Sequence, residues 1–133
     1  MFWVIAFLLV VVGWDAGWVA AGVKPMFPWQ LRKHLAESKL DPVLIDVRTP
    51  AEYRLFHIAG ARLRPDLLLR PGALELEDPL RPVVVICMTG HRSPVAAHRL
   101  GKHGIRNVYN LTWGMLGWKL FGGKTLTGDP PAG

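Results

Sequence analysis

A chain of 133 residues can build one ordinary domain with a real core, and not two. Half of its residues are hydrophobic, more than a water-bathed domain needs, so part of the chain is expected to lie in another medium. The formal charge of +6 comes from scattered Lys and Arg without a nucleic-acid motif, and the single cysteine excludes an internal disulfide, a CxxC redox pair and a cysteine-built zinc ribbon.

Residues 1–23 are apolar or Gly except for Asp15. As a helix they would run roughly 34 Å against a hydrocarbon core of about 30 Å, so they are read as one transmembrane anchor. Trp3 near one end and Trp14 and Trp18 towards the other suit the headgroup levels. Lys24, Arg32 and Lys33 follow and no Lys or Arg precedes, which puts the rest of the chain on the cytoplasmic side of a single-pass membrane protein. A cleaved signal peptide is the rival reading, since Val19, Ala20 and Ala21 suit a cleavage site, but the basic n-region is missing. Asp15 would cost up to about 3 kcal/mol in mid-bilayer and less near the interface, where it is placed. The positive charge then reads as membrane proximity together with attraction for anions.

Lys24-Pro25-Met26-Phe27-Pro28 is a Pro-broken linker or short edge strand, and Pro28 opens a helix with Trp29, Leu31, His34 and Leu35 at helical spacing. Val43-Leu44-Ile45-Asp46-Val47 lacks alternation, as a parallel strand covered on both faces should. Thr49-Pro50-Ala51-Glu52 matches a capping box, so a short helix follows. Residues 61–64 suit another short strand, and residues 65–78 a connection whose form is not readable. Val83-Val84-Val85-Ile86 is a second buried strand, ending at Cys87. Ser93-Pro94 reads as an N-cap and first helical residue, and Gly104 as the end of that helix. Residues 107–111 form a further strand and 113–121 a last helix, while Gly, Pro and Thr in 122–133 read as a disordered tail. Strands alternating with helices mean an α/β domain over 24–121, with a mostly parallel central sheet and helices on both faces.

Cys87 stands where open α/β sheets bind ligands, beyond the carboxyl end of a central strand. Cys87-Met88-Thr89-Gly90-His91-Arg92-Ser93 leads straight into a helix, so successive N–H groups can curl into an anion nest around the sulfur. Those amides, the helix dipole and Arg92 favour the thiolate, the reactive form of cysteine. Gly90 permits the bend. Arg92 can hold a departing anion with its fork of donors or brace the loop. His91 suits proton handling as well as a solvated loop position. Cys87 is therefore the candidate nucleophile, and Met88, Thr89, Gly90, His91, Arg92 and Ser93 are the candidate substrate-binding residues. No His, Cys and acid cluster has metal spacing, so neither metal nor cofactor is expected.

The stretch from Phe27 to Phe121 resembles a rhodanese, or sulfurtransferase, domain. The resemblance rests on Asp46-Val47-Arg48 with Glu52-Tyr53 and His57-Ile58, on Cys87-x-x-Gly90-x-Arg92-Ser93, and on Asn110-Leu111 with Gly114 and Trp118. It implies that Cys87 takes the outer sulfur of a small anionic donor such as thiosulfate, or of a persulfide. Cys87 then holds that sulfur as a persulfide until an acceptor thiol or cyanide removes it. It also implies that Asp46, Arg48, Glu52 and His57 are scaffold rather than chemistry. Two positions depart from the family pattern: Phe56 stands where a Gly usually precedes His57-Ile58, and Trp113 where the first of two glycines is usual. Phe56 is expected to alter packing beside the short helix, and Trp113 to line the pocket mouth. The rival functions are a membrane-tethered interaction module without turnover and a dual-specificity-type phosphatase. The four residues between Cys87 and Arg92 make a loop one residue shorter than a phosphate requires. His98, Arg99, Lys102 and His103 form a basic helix surface that attracts anions or is simply solvated.

Overall fold

A computed structural model describes residues 1–37 and 41–131. The chain opens with the long apolar helix α1 (Phe2–Ala20) and continues into β1 (Lys24–Met26), α2 (Pro28–Glu37), β2 (Val43–Asp46), α3 (Pro50–Leu55) and β3 (Arg62–Leu63). Two 3₁₀ turns (Pro65–Leu68 and Pro71–Ala73) lead to β4 (Val83–Ile86), α4 (Ser93–Lys102), β5 (Val108–Leu111) and α5 (Gly114–Leu120). The five strands form one sheet in the order β1-β5-β4-β2-β3, and every pairing is parallel. The Pro-broken segment after α1 is thus an edge strand, where Pro25 costs least.

β2 and β4 are buried along their whole length, and the two-residue period of a strand divides their side chains between the faces. Val43, Ile45, Val47, Val83, Val85 and Cys87 join the core under α4 and the 3₁₀ turns. Leu44, Val84 and Ile86 join the core under α2, α3 and α5, with Leu31, Tyr53, Met115 and Trp118. A run that shows no alternation in sequence still alternates in space, because both faces are covered.

The capping box of α3 is present with both of its bonds, from Glu52 N to Thr49 Oγ1 (3.3 Å) and from Thr49 N to Glu52 Oε1 (3.2 Å). α4 departs from its expected start. Arg92 is the N-cap residue and Ser93 the first helical residue, with its side chain turned inward. The expectation of disorder from Gly122 onward also fails within the described residues. Leu126 pairs with His57 through two backbone bonds (2.9 and 2.8 Å), Trp118 Nε1 donates to Lys124 O (2.9 Å), and Gly128 N donates to Arg54 O (3.0 Å). These partners are spread across the domain, so composition alone concealed them. Residues 132–133 of that tail lie outside the described residues.

α1 is long and apolar enough to cross a membrane, and none of its residues is buried. Its second half lies on the domain: Trp18 packs against the α4-side core, and Trp14 reaches the loop after β4.

Candidate active site

Strand β4 lies at the centre of the sheet, between β2 and β5, so the chain leaving its carboxyl end emerges where the sheet order changes direction. Such a switch point opens a crevice beyond the strand ends. Cys87 is the first residue there, fully buried on the α4 side. Gly90, at φ +89°, turns the loop so that its own N–H donates to Cys87 Sγ at 3.0 Å. Ser93 Oγ approaches the same sulfur at 3.2 Å. The expected nest of several amides is therefore, among the described residues, one amide and one hydroxyl.

Ser93 is fully buried, and its hydroxyl also contacts Asn110 Oδ1 at the end of β5. This explains why it does not cap α4. A buried hydroxyl facing a sulfur and an amide oxygen satisfies the interior first, and α4 starts without a side-chain cap bond. Asn110 was not among the expected site residues. It stands 17 positions from Ser93 and meets it only because β5 pairs with β4.

The far wall of the loop comes from α5. Met115 N donates to Cys87 O (2.9 Å) and Leu116 N to Met88 O (3.0 Å), so the first turn of α5 satisfies the carbonyls that the bend leaves unpaired. That approach is possible because Gly114 has no side chain and sits at φ +59°. A Cβ there would meet Cys87 O and come within 2.7 Å of Met88 O. Trp113 also adopts a left-handed conformation, at φ +63°, and its ring joins Phe27, Trp29 and Phe121 in one aromatic group.

The charged residues divide into two groups. Asp46 and Arg48 form a fully buried pair, with Arg48 Nη2 to Asp46 Oδ2 at 2.8 Å. Arg48 also donates to Phe56 O (2.6 Å) and Glu52 O (3.3 Å), tying β2 to α3. Arg92 lies in the loop but points to Glu52, with bonds of 3.0 and 2.8 Å to its two carboxylate oxygens. That bidentate pair holds the Glu52 carboxyl down to about 2 and raises Arg92 above its ordinary value. Arg92 thus braces the loop against α3, with its donors engaged by a carboxylate instead of by the pocket. His57 stacks on Tyr53 at 3.8 Å and bonds to Tyr53 O through Nδ1 (2.8 Å), a scaffold contact. Phe56 lies under Lys119 Nζ at 4.3 Å, a cation–π contact beside α3.

The outer loop residues face α1. Thr89 Oγ1 and His91 Nδ1 are 2.5 Å apart, Trp14 Nε1 donates to Gly90 O at 3.2 Å, and the Trp14 and His91 rings lie 5.8 Å apart. Met88 Sδ sits 4.0 Å from Arg48 Nη1, beneath the loop. All seven expected site residues therefore lie in this loop, but only Cys87, Gly90 and Ser93 meet at the sulfur. Trp14 was also missed, because nothing local in α1 shows what it touches.

A family model described as a rhodanese-like domain matches residues 28–120. A probable adenylyltransferase/sulfurtransferase, MoeZ of Mycobacterium tuberculosis, is 37% identical over 109 residues, covering 81% of this chain and 27% of that protein. The chain thus spans about a quarter of that relative's length. The thiosulfate sulfurtransferase GlpE of Pseudomonas fluorescens is 33% identical over 91 residues, covering 66% of this chain and 81% of that one. Among solved structures, a rhodanese-like domain protein from Staphylococcus aureus superposes with a TM-score of 0.68 at 27% identity, covering 80% of this chain and 100% of that one. This chain belongs to the rhodanese-like family, among relatives that carry sulfurtransferase names.

Proposed function

We propose that this protein is a sulfurtransferase that carries a sulfane sulfur on Cys87. The Cys87 thiolate attacks the outer sulfur of thiosulfate or of a persulfide donor. The donor's S–S bond breaks, its electron pair leaves with sulfite or the donor thiolate, and Cys87 is left as a persulfide. An acceptor thiolate or cyanide then attacks the outer sulfur and returns Cys87 to the thiolate. The observation that carries this reading is the Cys87 sulfur at the switch point, with Gly90 N–H at 3.0 Å and Ser93 Oγ at 3.2 Å. Donors so placed stabilise charge on the attacking sulfur and later on the leaving one.

A phosphatase reading is disfavoured by Arg92, whose two terminal nitrogens are bonded to the Glu52 carboxylate and are not free to hold a phosphate in the loop. An interaction module without turnover needs no donors on a cysteine sulfur. The discriminating experiment is intact mass of the full chain before and after thiosulfate, with Cys87→Ser as control. A gain of one sulfur that requires Cys87 supports transfer.

We further infer that α1 anchors the protein in a membrane with the domain on the cytoplasmic side. Supporting this are the 19 apolar-rich residues of α1, their exposure, and the Lys and Arg that follow. A reporter fused after Gly133 that functions on only one side of the membrane tests the orientation.

A further inference from the structure

Between α1 and the loop of Cys87 lies a cavity of about 580 Å³ that the chemistry above does not use. Phe7, Val10 and Val11 of α1 form one wall, and Leu116 and Leu120 of α5 face them. Polar groups are confined to the inner end, where Thr89, Gly90, His91 and Asp15 meet. From Phe7 to Asp15 the cavity follows α1 for roughly 12 Å. It is hydrocarbon along its length and polar beside the sulfur loop, which is the polarity pattern of an amphiphile. Thiosulfate has no part that would use such walls.

The outer rim indicates where the occupant comes from. Leu116 and Leu120 are exposed on α5, and Phe7 and Val10 are exposed on α1. These exposed apolar residues of both helices also line the cavity, so lipid that covers α1 reaches its rim.

We propose that this cavity seats the hydrocarbon tail of an amphiphilic thiol, which arrives from the membrane and accepts the sulfur held on Cys87. The inference rests on the sulfurtransferase and membrane readings above and names the acceptor class of that same site. The acceptor thiol gives its proton to solvent, and its sulfur attacks the outer sulfur of the Cys87 persulfide. The S–S bond to Cys87 breaks with its electron pair returning to Cys87, and the acceptor departs as an alkyl persulfide. No oxidant or reductant is consumed.

The test uses the full chain in phosphatidylcholine nanodiscs, loaded with thiosulfate and then mixed with ethanethiol, butanethiol, hexanethiol or octanethiol. Loss of the persulfide from Cys87 is followed by mass. The rate constant should rise with chain length, by up to about fourfold for each methylene that leaves water. Val10→Trp and Leu120→Trp fill the cavity from opposite walls at exposed positions, and each should cut the advantage of octanethiol over ethanethiol by about tenfold. Loading by thiosulfate in the same samples reports whether each variant is folded. A flat chain-length profile in the native protein overturns the proposal. So does an identical rise in both loaded variants, which would mean partition into the bilayer alone, and so does a lipid tail or a second helix that fills the cavity and blocks longer thiols. Failure to load with any sulfane donor would instead remove the sulfurtransferase reading, and is seen before any acceptor is added.

Discussion

Ser93 has one hydroxyl proton and two acceptors, Cys87 Sγ and Asn110 Oδ1. A charged sulfur makes the stronger bond, so the proton goes to Cys87 whenever it is a thiolate. Ser93→Ala removes one of two donors at a buried sulfur, worth about 1.5–3 kcal/mol for a bond to a charged group. Persulfide formation from thiosulfate should slow by about tenfold or more, measured by rapid-quench mass spectrometry. Glu52 and Arg92 give a second expectation at this scale. The Glu52 carboxyl is depressed from 4.5 to about 2. Its pair with Arg92 therefore stabilises the fold fully above the ordinary carboxylate range and loses that contribution as pH falls through about 2. Between pH 5 and 2 the native protein should lose thermal stability more steeply than Glu52→Gln, which has no such charge to protonate. Trp113 sets two effects against each other. Its left-handed backbone costs about 1–2 kcal/mol, but each of its three aromatic pairs contributes about 0.5–1.5 kcal/mol beyond area. The pairs win, so Trp113→Gly should lower the midpoint of denaturant unfolding. The loop from Cys87 to Ser93 was legible as one segment because it is contiguous. Ser93 turns to the sulfur instead of capping α4, and Ser-Pro looks the same in sequence whether its hydroxyl points to the helix end or to a buried sulfur. Asn110 becomes visible only once strands pair.

At the scale of elements, the runs Val43 to Asp46 and Val83 to Ile86 were readable as buried parallel strands because covering both faces removes the polar half of the pattern. The capping box at Thr49 was readable because its chemistry is local. β3 was readable as a short strand within residues 61–64 and has only two residues, whereas the link from it to β4 includes two 3₁₀ turns, which carry no period to detect. The segment after Gly122 looked disordered by composition, yet Leu126 pairs with His57 in an isolated antiparallel bridge. The approach of α5 to the loop depends on Gly114. Adding a methyl group there forces backbone against backbone at a left-handed position, and should cost about 3 kcal/mol. Gly114→Ala is therefore expected to lower stability and to slow sulfur loading together, as both depend on the Met115 and Leu116 amides reaching the loop.

At the scale of the molecule, α1 links the sequence's apolar excess to its chemistry. Its length and composition marked it as an anchor, but its contact with the loop across 76 positions has no local trace. Cys87 is fully buried with α1 in place, and Trp14 is bonded to the loop beside it. Losing that bond, worth about 1 kcal/mol, should let the loop open about fivefold more often. Trp14→Ala should therefore raise the rate at which iodoacetamide alkylates Cys87 in the folded, full-length protein by a similar factor. The proposed function turns on one event, the formation of a persulfide on Cys87. Intact mass of the full chain, taken before and after thiosulfate or a persulfide donor, tests it most directly. A gain of one sulfur is expected in the native chain and none in Cys87→Ser. A native chain that gains no sulfur from either donor would contradict it.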